Sequence, residues 1–224
     1  MMILIEFDGV LVDVRAVYYA VHCRSARDSG WSCLDEPTFW RLIRTKGRHS
    51  GLLPGARAGL VESYHARFES EIEATENIAQ FDSRPGCADV LRRLSRHGSC
   101  AGVTFGRNVD ARRAVLESGK IGDVVDRLDG LHEDPRRRPG ELTILATGQP
   151  RTMVVAAGDA LIRAAGQAGL FCVGVSSGYC SARRLHQAGA DVVYTKLEEL
   201  VDSLERGAPD LVRAGLLPPS AFEL

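Results

Sequence analysis

The apolar run Met2-Ile3-Leu4-Ile5 passes directly into Glu6-Phe7-Asp8-Gly9-Val10-Leu11-Val12-Asp13, and no other stretch constrains the fold as tightly. A segment apolar at every position reads as a strand buried on both faces, the habit of parallel sheets covered by helices on each side. Acids at its end put chemistry at the carboxyl edge of such a sheet. Glu6 and Asp8 stand at alternate positions beside a glycine that permits a tight turn, which brings two carboxylates close together where the strand stops. The pair suits a cation or acid/base work, although an acidic turn after a strand is also an ordinary structural feature.

Further along, strands alternate with helices. Arg84-Pro85-Gly86 leads an amphipathic helix ended by Gly98, and Cys100 to Thr104 reads as a second buried strand. A helix follows around Asp110 to Glu117, then a short strand within Gly119 to Asp126, a clear strand at Arg151 to Val155, and two more strand-helix units from Leu170 to Leu200. This alternation demands a parallel sheet, because parallel neighbours need crossover helices.

From Arg15 to Gln80 the pattern is helical instead. Val17 to Val21 starts one helix, Pro37 to Ile43 fits a second, and Ala58 to Ile78 reads as one long helix. The chain is therefore expected to carry an all-helical insertion at 14–80 in an α/β core built from 1–13 and 81–205. A tail at 206–224 follows, whose Leu211, Val212, Leu216 and Leu217 can cover the core or a partner subunit, as in a homodimer. Arg48 and His49 in the Gly47–Gly51 loop, and His65 on the long helix, are open to substrate contact, or are a solvated loop and a helix-face histidine.

With 224 residues, 45% hydrophobic and 25% charged, the chain can bury one large core and a smaller appended domain. A net charge of -1 gives no electrostatic case for a nucleic-acid or membrane-surface partner. The lack of a membrane-length apolar stretch and of a leader-like amino terminus predicts a cytoplasmic protein. Six cysteines without a C-x-x-C pair argue against a zinc site or a disulfide framework.

Phe7-Asp8-Gly9-Val10-Leu11-Val12-Asp13 resembles the opening motif of the haloacid dehalogenase-like (HAD) superfamily, an apolar strand followed by Asp-x-Asp-Gly. The last two strand-helix units, Leu170 to Tyr179 and Arg184 to Leu200, are similar to those of its phosphoglycolate-phosphatase-like branch. The resemblance covers Met2 to about Leu204. It implies a Rossmann-like, doubly wound parallel sheet with a helical cap that closes over the site. It also implies an aspartyl-phosphate mechanism with Mg²⁺, acting on a small phosphorylated or anionic molecule.

Carried over residue by residue, the nucleophile position falls on Glu6 and the acid/base on Asp8. Thr104 takes the place of the hydroxyl that binds a phosphate oxygen, although β propensity also favours threonine at a strand end. Arg138 stands where the family has a phosphate-binding lysine, in an arginine run that solvation alone would also explain. The family's metal-binding Gly-Asp falls on Ala156-Ala157 when the chain is aligned without a gap, and its later acid on Leu161. The Gly158-Asp159 pair comes two residues late, so Asp159 is either a displaced metal ligand beside Glu6 and Asp8 or an ordinary helix N-cap.

Two functions are therefore expected to compete. One is a HAD-like protein whose degenerate site binds a ligand or partner or runs other chemistry. The alternative is an active Mg²⁺-dependent phosphatase using Glu6, Asp8, Thr104, Arg138 and Asp159. Dehalogenation is a third and poorer fit, because that chemistry also needs an aspartate nucleophile.

Overall fold

The computed structural model describes residues 1–46, 51–84, 86–119, 121–213, 215 and 216. Arg48 and His49 lie outside the described residues, as does the tail from 217 onward, including Leu217. The chain begins with β1 (Met2–Glu6), a broad turn over Phe7–Leu11, and β2 (Val12–Asp13). Helices α1 (Arg15–Asp28), α2 (Glu36–Lys46), α3 (Ala58–Ile72) and α4 (Thr75–Ile78) follow, and β3 (Asp82–Ser83) returns antiparallel to β2. The helical segment thus leaves and re-enters through one small two-stranded ribbon.

Next come α5 (Cys87–Ser95), β4 (Ser99–Thr104), α6 (Val109–Ser118), β5 (Val125–Gly130), α7 (Arg138–Ala146) and β6 (Thr152–Ala156). The chain continues with α8 (Asp159–Gln167), β7 (Phe171–Val175), α9 (Ala182–Ala188), β8 (Val192–Tyr194), α10 (Leu197–Glu205) and α11 (Pro209–Arg213). Six strands form one sheet in the order β5-β4-β1-β6-β7-β8, every pair parallel. The chain winds outward from β1 in both directions, so the carboxyl end of β1 lies at the switch point, where such sheets open a crevice.

The continuous apolar run of β1 is explained by burial on both faces. Ile3 and Ile5 belong to one core cluster, and Met2 and Leu4 to the other. Inside the helical segment, Tyr18 and Phe68 pack edge-to-face with ring centroids 6.1 Å apart. His22 is fully buried and stacked on Phe39 at 4.7 Å between ring centroids. Its Nε2 accepts the Leu34 backbone N–H at 3.1 Å, which leaves Nδ1 to carry the proton toward the Tyr64 hydroxyl at 2.7 Å. Burial pushes the His22 pKa down to about 4. His65 lies against Tyr64, with ring centroids 5.1 Å apart.

Two sequence expectations are corrected. The long helix over 58–78 is two helices, because Ala74 adopts an extended ψ of 134° and ends the run after Glu73. The strand expected within 119–126 is β5 at Val125–Gly130. Ile121 and Gly122 instead donate back to the Leu116 carbonyl just beyond the end of α6, and pairing with β4 begins only at Val125.

Candidate functional site

β1 delivers Glu6 to the carboxyl edge of the sheet at 5% exposure. There its Oε2 accepts two backbone hydrogen bonds, from Ala157 N at 2.7 Å and Gly158 N at 2.8 Å. Those residues are the first two after β6, and Gly158 is the N-cap of α8, where the helix end favours a negative charge. The approach needs a glycine: a Cβ at Gly158 would stand 2.8 Å from Glu6 Oε1. Glu6 therefore binds together the ends of two neighbouring strands. As a nucleophile its Oε2 would first have to abandon two backbone N–H groups, one buried and one half-buried.

The turn after β1 is held by Gly9, whose φ of +87° is left-handed. An added Cβ there would press on Ala157 Cβ and the Tyr179 ring at 3.2 Å. This turn buries Asp8 to 8% exposure. Asp8 Oδ2 accepts a long hydrogen bond from the Thr104 hydroxyl, 3.4 Å, and Thr104 Oγ1 itself accepts from Gly106 N at 3.0 Å. Asp8 Oδ1 has no hydrogen-bond donor and faces Arg112 Nε at 3.6 Å.

Arg112 comes from α6 and is 1% exposed. Its guanidinium grips Glu73 in a fork, Nη1 to Oε2 at 2.9 Å and Nη2 to Oε1 at 3.0 Å. Glu73, the C-cap of α3, also accepts the Asn108 backbone N–H at 3.0 Å. A Cβ on Gly106 would fall 2.0 Å from Arg112 Cζ, so the guanidinium lies against bare backbone. Burial works to raise the Glu73 carboxyl, and the hydrogen bonds and charge of Arg112 outweigh it and hold the group below the usual carboxylate value. Burial works to lower Arg112, and the charges of Asp8 and Glu73 outweigh it and hold it above the ordinary arginine value.

Arg138 opens α7, with its Cζ 4.1 Å from the Phe105 ring centroid. Its Nε and Nη2 donate to the carbonyls of His132 and Glu133 at 2.9 and 2.8 Å. Asp159 is the first helical residue of α8 and not its N-cap, which is Gly158. Its Oδ1 accepts from Arg184 Nη2 at 2.8 Å, and its Oδ2 is engaged by Arg163. The N-cap reading is thereby corrected: the two arginines draw the carboxylate away from the helix's own N–H groups.

Glu6, Asp8, Arg138 and Asp159 line one cavity of about 440 Å³, together with Arg107, Arg112, Glu73 and Tyr18. Thr104 stands behind Asp8 and is not part of the lining. Magnesium asks for near-octahedral oxygen coordination from carboxylates and water. Among the described residues no group of three or more His, Cys, Asp or Glu side chains is arranged to hold a metal ion. Glu6 faces backbone N–H groups, Asp159 faces two arginines, and Asp8 faces a third. As they stand, these side chains do not fit a divalent cation.

Glu73, Arg112, Arg107 and Tyr18 are lining residues that sequence reasoning missed. Glu73 is one acid among Glu69, Glu71 and Glu73, and Arg112 has Arg113 beside it, so nothing local marks which charge is buried.

No family model matches the chain. Its sequence is 25% identical over 209 residues to phosphoglycolate phosphatase from Synechococcus elongatus, spanning 90% of this chain and 96% of that one. Among solved structures, a haloacid dehalogenase-like hydrolase from Streptococcus pneumoniae superposes with a TM-score of 0.72 at 14% identity, covering 91% of this chain and 97% of the other. A hydrolase from Pseudomonas syringae gives 0.62 at 20% identity, covering 92% and 98%. The doubly wound sheet, the helical segment inserted after its first strand and these likenesses give the chain the fold of the haloacid dehalogenase-like hydrolases. In sequence the chain is similar to the phosphoglycolate phosphatase named above, and in fold to a predicted phosphoglycolate phosphatase from Haemophilus somnus.

Proposed function

We propose that this protein keeps the small-molecule cleft of its superfamily and has given up aspartyl-phosphate chemistry, acting as a binder of a small phosphorylated or anionic molecule. The observation that carries the reading is the Glu6 carboxylate, held on Ala157 N and Gly158 N at 2.7 and 2.8 Å. Phosphoryl transfer is mostly positioning and charge neutralisation. A nucleophile tied down in this way, one methylene longer than aspartate and without a metal-ligand set, meets neither need.

In this reading residues 14–80 act as the cap over the cleft, and Arg138 and Arg107 present cationic edges to the ligand. A short phosphoester of the kind the Synechococcus relative is named for suits a cavity of about 440 Å³. The cytoplasm is the proposed compartment; among the described residues no helix is long and apolar enough to cross a membrane.

The test is a panel of small phosphate esters and inorganic phosphate, each scored with and without MgCl₂ for a rise in Tm and for released phosphate. Stabilisation by at least one anion, without phosphate release, is expected. The competing reading, an active Mg²⁺-dependent phosphatase, draws on Asp8 held against Thr104 at 3.4 Å. Mg²⁺-dependent release that Asp8→Asn abolishes would decide for it.

A further inference from the structure

The helical segment and the core are joined by a buried charge cluster that no motif of the superfamily resemblance includes. Two carboxylates meet there, Asp8 from the turn after β1 and Glu73 from the end of α3, at 8% exposure and half-buried respectively. Buried charges of one sign persist only with a compensating partner. In this cleft the compensation comes from a side chain.

We propose that the Arg112 guanidinium is the resident cation of the cleft: it supplies Asp8 with the positive charge a divalent metal would otherwise supply, and so makes the site indifferent to metal. This rests on the functional reading above and goes beyond it by naming the group that has taken over the metal's electrostatic part.

Four observations support the assignment. Arg112 is 1% exposed, so its charge acts in a setting of low dielectric and weak screening. Its fork is fixed on Glu73 at 2.9 and 3.0 Å, which turns Nε toward Asp8 Oδ1 at 3.6 Å. Neither Nε nor Oδ1 has any other hydrogen-bond partner, so the two orphaned atoms face each other. The space is also built for this side chain, since any residue larger than glycine at position 106 would place its Cβ 2.0 Å from Cζ.

The same residue pins the helical segment. Asn108, four residues earlier and the N-cap of α6, donates from its side chain to the Glu73 carbonyl at 3.3 Å and to Thr75 Oγ1 at 3.1 Å. Glu73 is thereby held by α6 through side chain and backbone together. A metal ion entering at Asp8 would have to displace a guanidinium that also closes this joint.

The experiment is a Mn²⁺ titration of the full chain read by the EPR signal of free aquo-Mn²⁺. For the wild type the signal should stay proportional to added metal, and Arg112→Lys should behave alike. Arg112→Met should gain one saturable Mn²⁺ site, lost again when Asp8→Asn is added. Saturable uptake by the wild type that Asp8→Asn removes overturns the proposal, as does a folded Arg112→Met chain that takes up no metal. If Arg112→Met fails to fold, the wild-type and Arg112→Lys titrations decide on their own, uptake by the wild type at Asp8 refuting and its lack supporting. Phosphate release by a wild type that takes up no Mn²⁺ would sink the functional reading and leave this one standing; Mn²⁺ uptake at Asp8 without release would do the reverse.

Discussion

Shortening Glu6 tests the site at its most specific point. Glu6→Asp withdraws the carboxylate by about one bond length, roughly 1.5 Å. The contacts to Ala157 N and Gly158 N, now 2.7 and 2.8 Å, would open beyond hydrogen-bond reach. Each backbone N–H left buried and unpaired costs about 1–3 kcal/mol. Two of them set a ceiling of about 6 kcal/mol by the same rule, and water entering from the adjoining cavity brings the expected loss to about 2–4 kcal/mol. Glu6→Ala should match Glu6→Asp. Glu6→Gln keeps an acceptor oxygen without the charge and should lose about 1–2 kcal/mol, since charge-assisted bonds are roughly twice as strong as neutral ones. Urea unfolding with an unchanged m-value gives the free energies, and amide exchange at Ala157 and Gly158 gives the local cause. An Asp variant within about 0.5 kcal/mol of wild type, the size of an ordinary surface change, with both amides still protected, would refute the reasoning.

Gly106→Ala should dislodge Arg112 and cost about 3–5 kcal/mol, as breaking a buried ion pair does, measured by urea midpoint. Gly9→Ala combines a left-handed φ of +87° with contacts at 3.2 Å to Ala157 and Tyr179, and should lower stability by about 1–3 kcal/mol. His22 is neutral when folded, with its pKa near 4 against an ordinary 6.5, so the unfolded chain takes up its proton first as the pH falls. Stability should therefore be full above about pH 6.5 and fall between there and pH 4, by at most about 3 kcal/mol, a slope His22→Gln should flatten. Glu73 acts in a lower window: its depressed pKa makes its contribution present above the ordinary 4.5 and lost as pH falls through the folded value, which Glu73→Gln should abolish.

The sheet was legible in the sequence because burial on both faces forces runs such as Met2–Ile5 and Met153–Val155 to be apolar throughout. The site was legible only where the chain itself fixes the geometry. Glu6 and Asp8 flank a turn that Gly9 requires, and the structure does bring both to one cavity with Arg138 and Asp159. What Glu6 holds was not legible, because its partners are backbone N–H groups 151 and 152 residues away that carry no residue-type signal. Asp159 was misread because its second partner, Arg184, comes from α9 and joins Arg163 of its own helix in drawing the carboxylate outward. Arg112 and Glu73 were invisible because exposed and buried charges are spelled alike. The break after Glu73 that aims its carboxylate inward falls at Ala74, a residue that normally favours helix.

The most direct test of the central claim, that Glu6 is a structural acceptor and not a nucleophile, is intact-mass analysis of the chain quenched in acid during incubation with small phosphate esters and Mg²⁺. The account predicts a single unmodified mass for wild type under every ester. A phosphorylated species that requires Mg²⁺, maps to Glu6 and disappears in Glu6→Gln would contradict it.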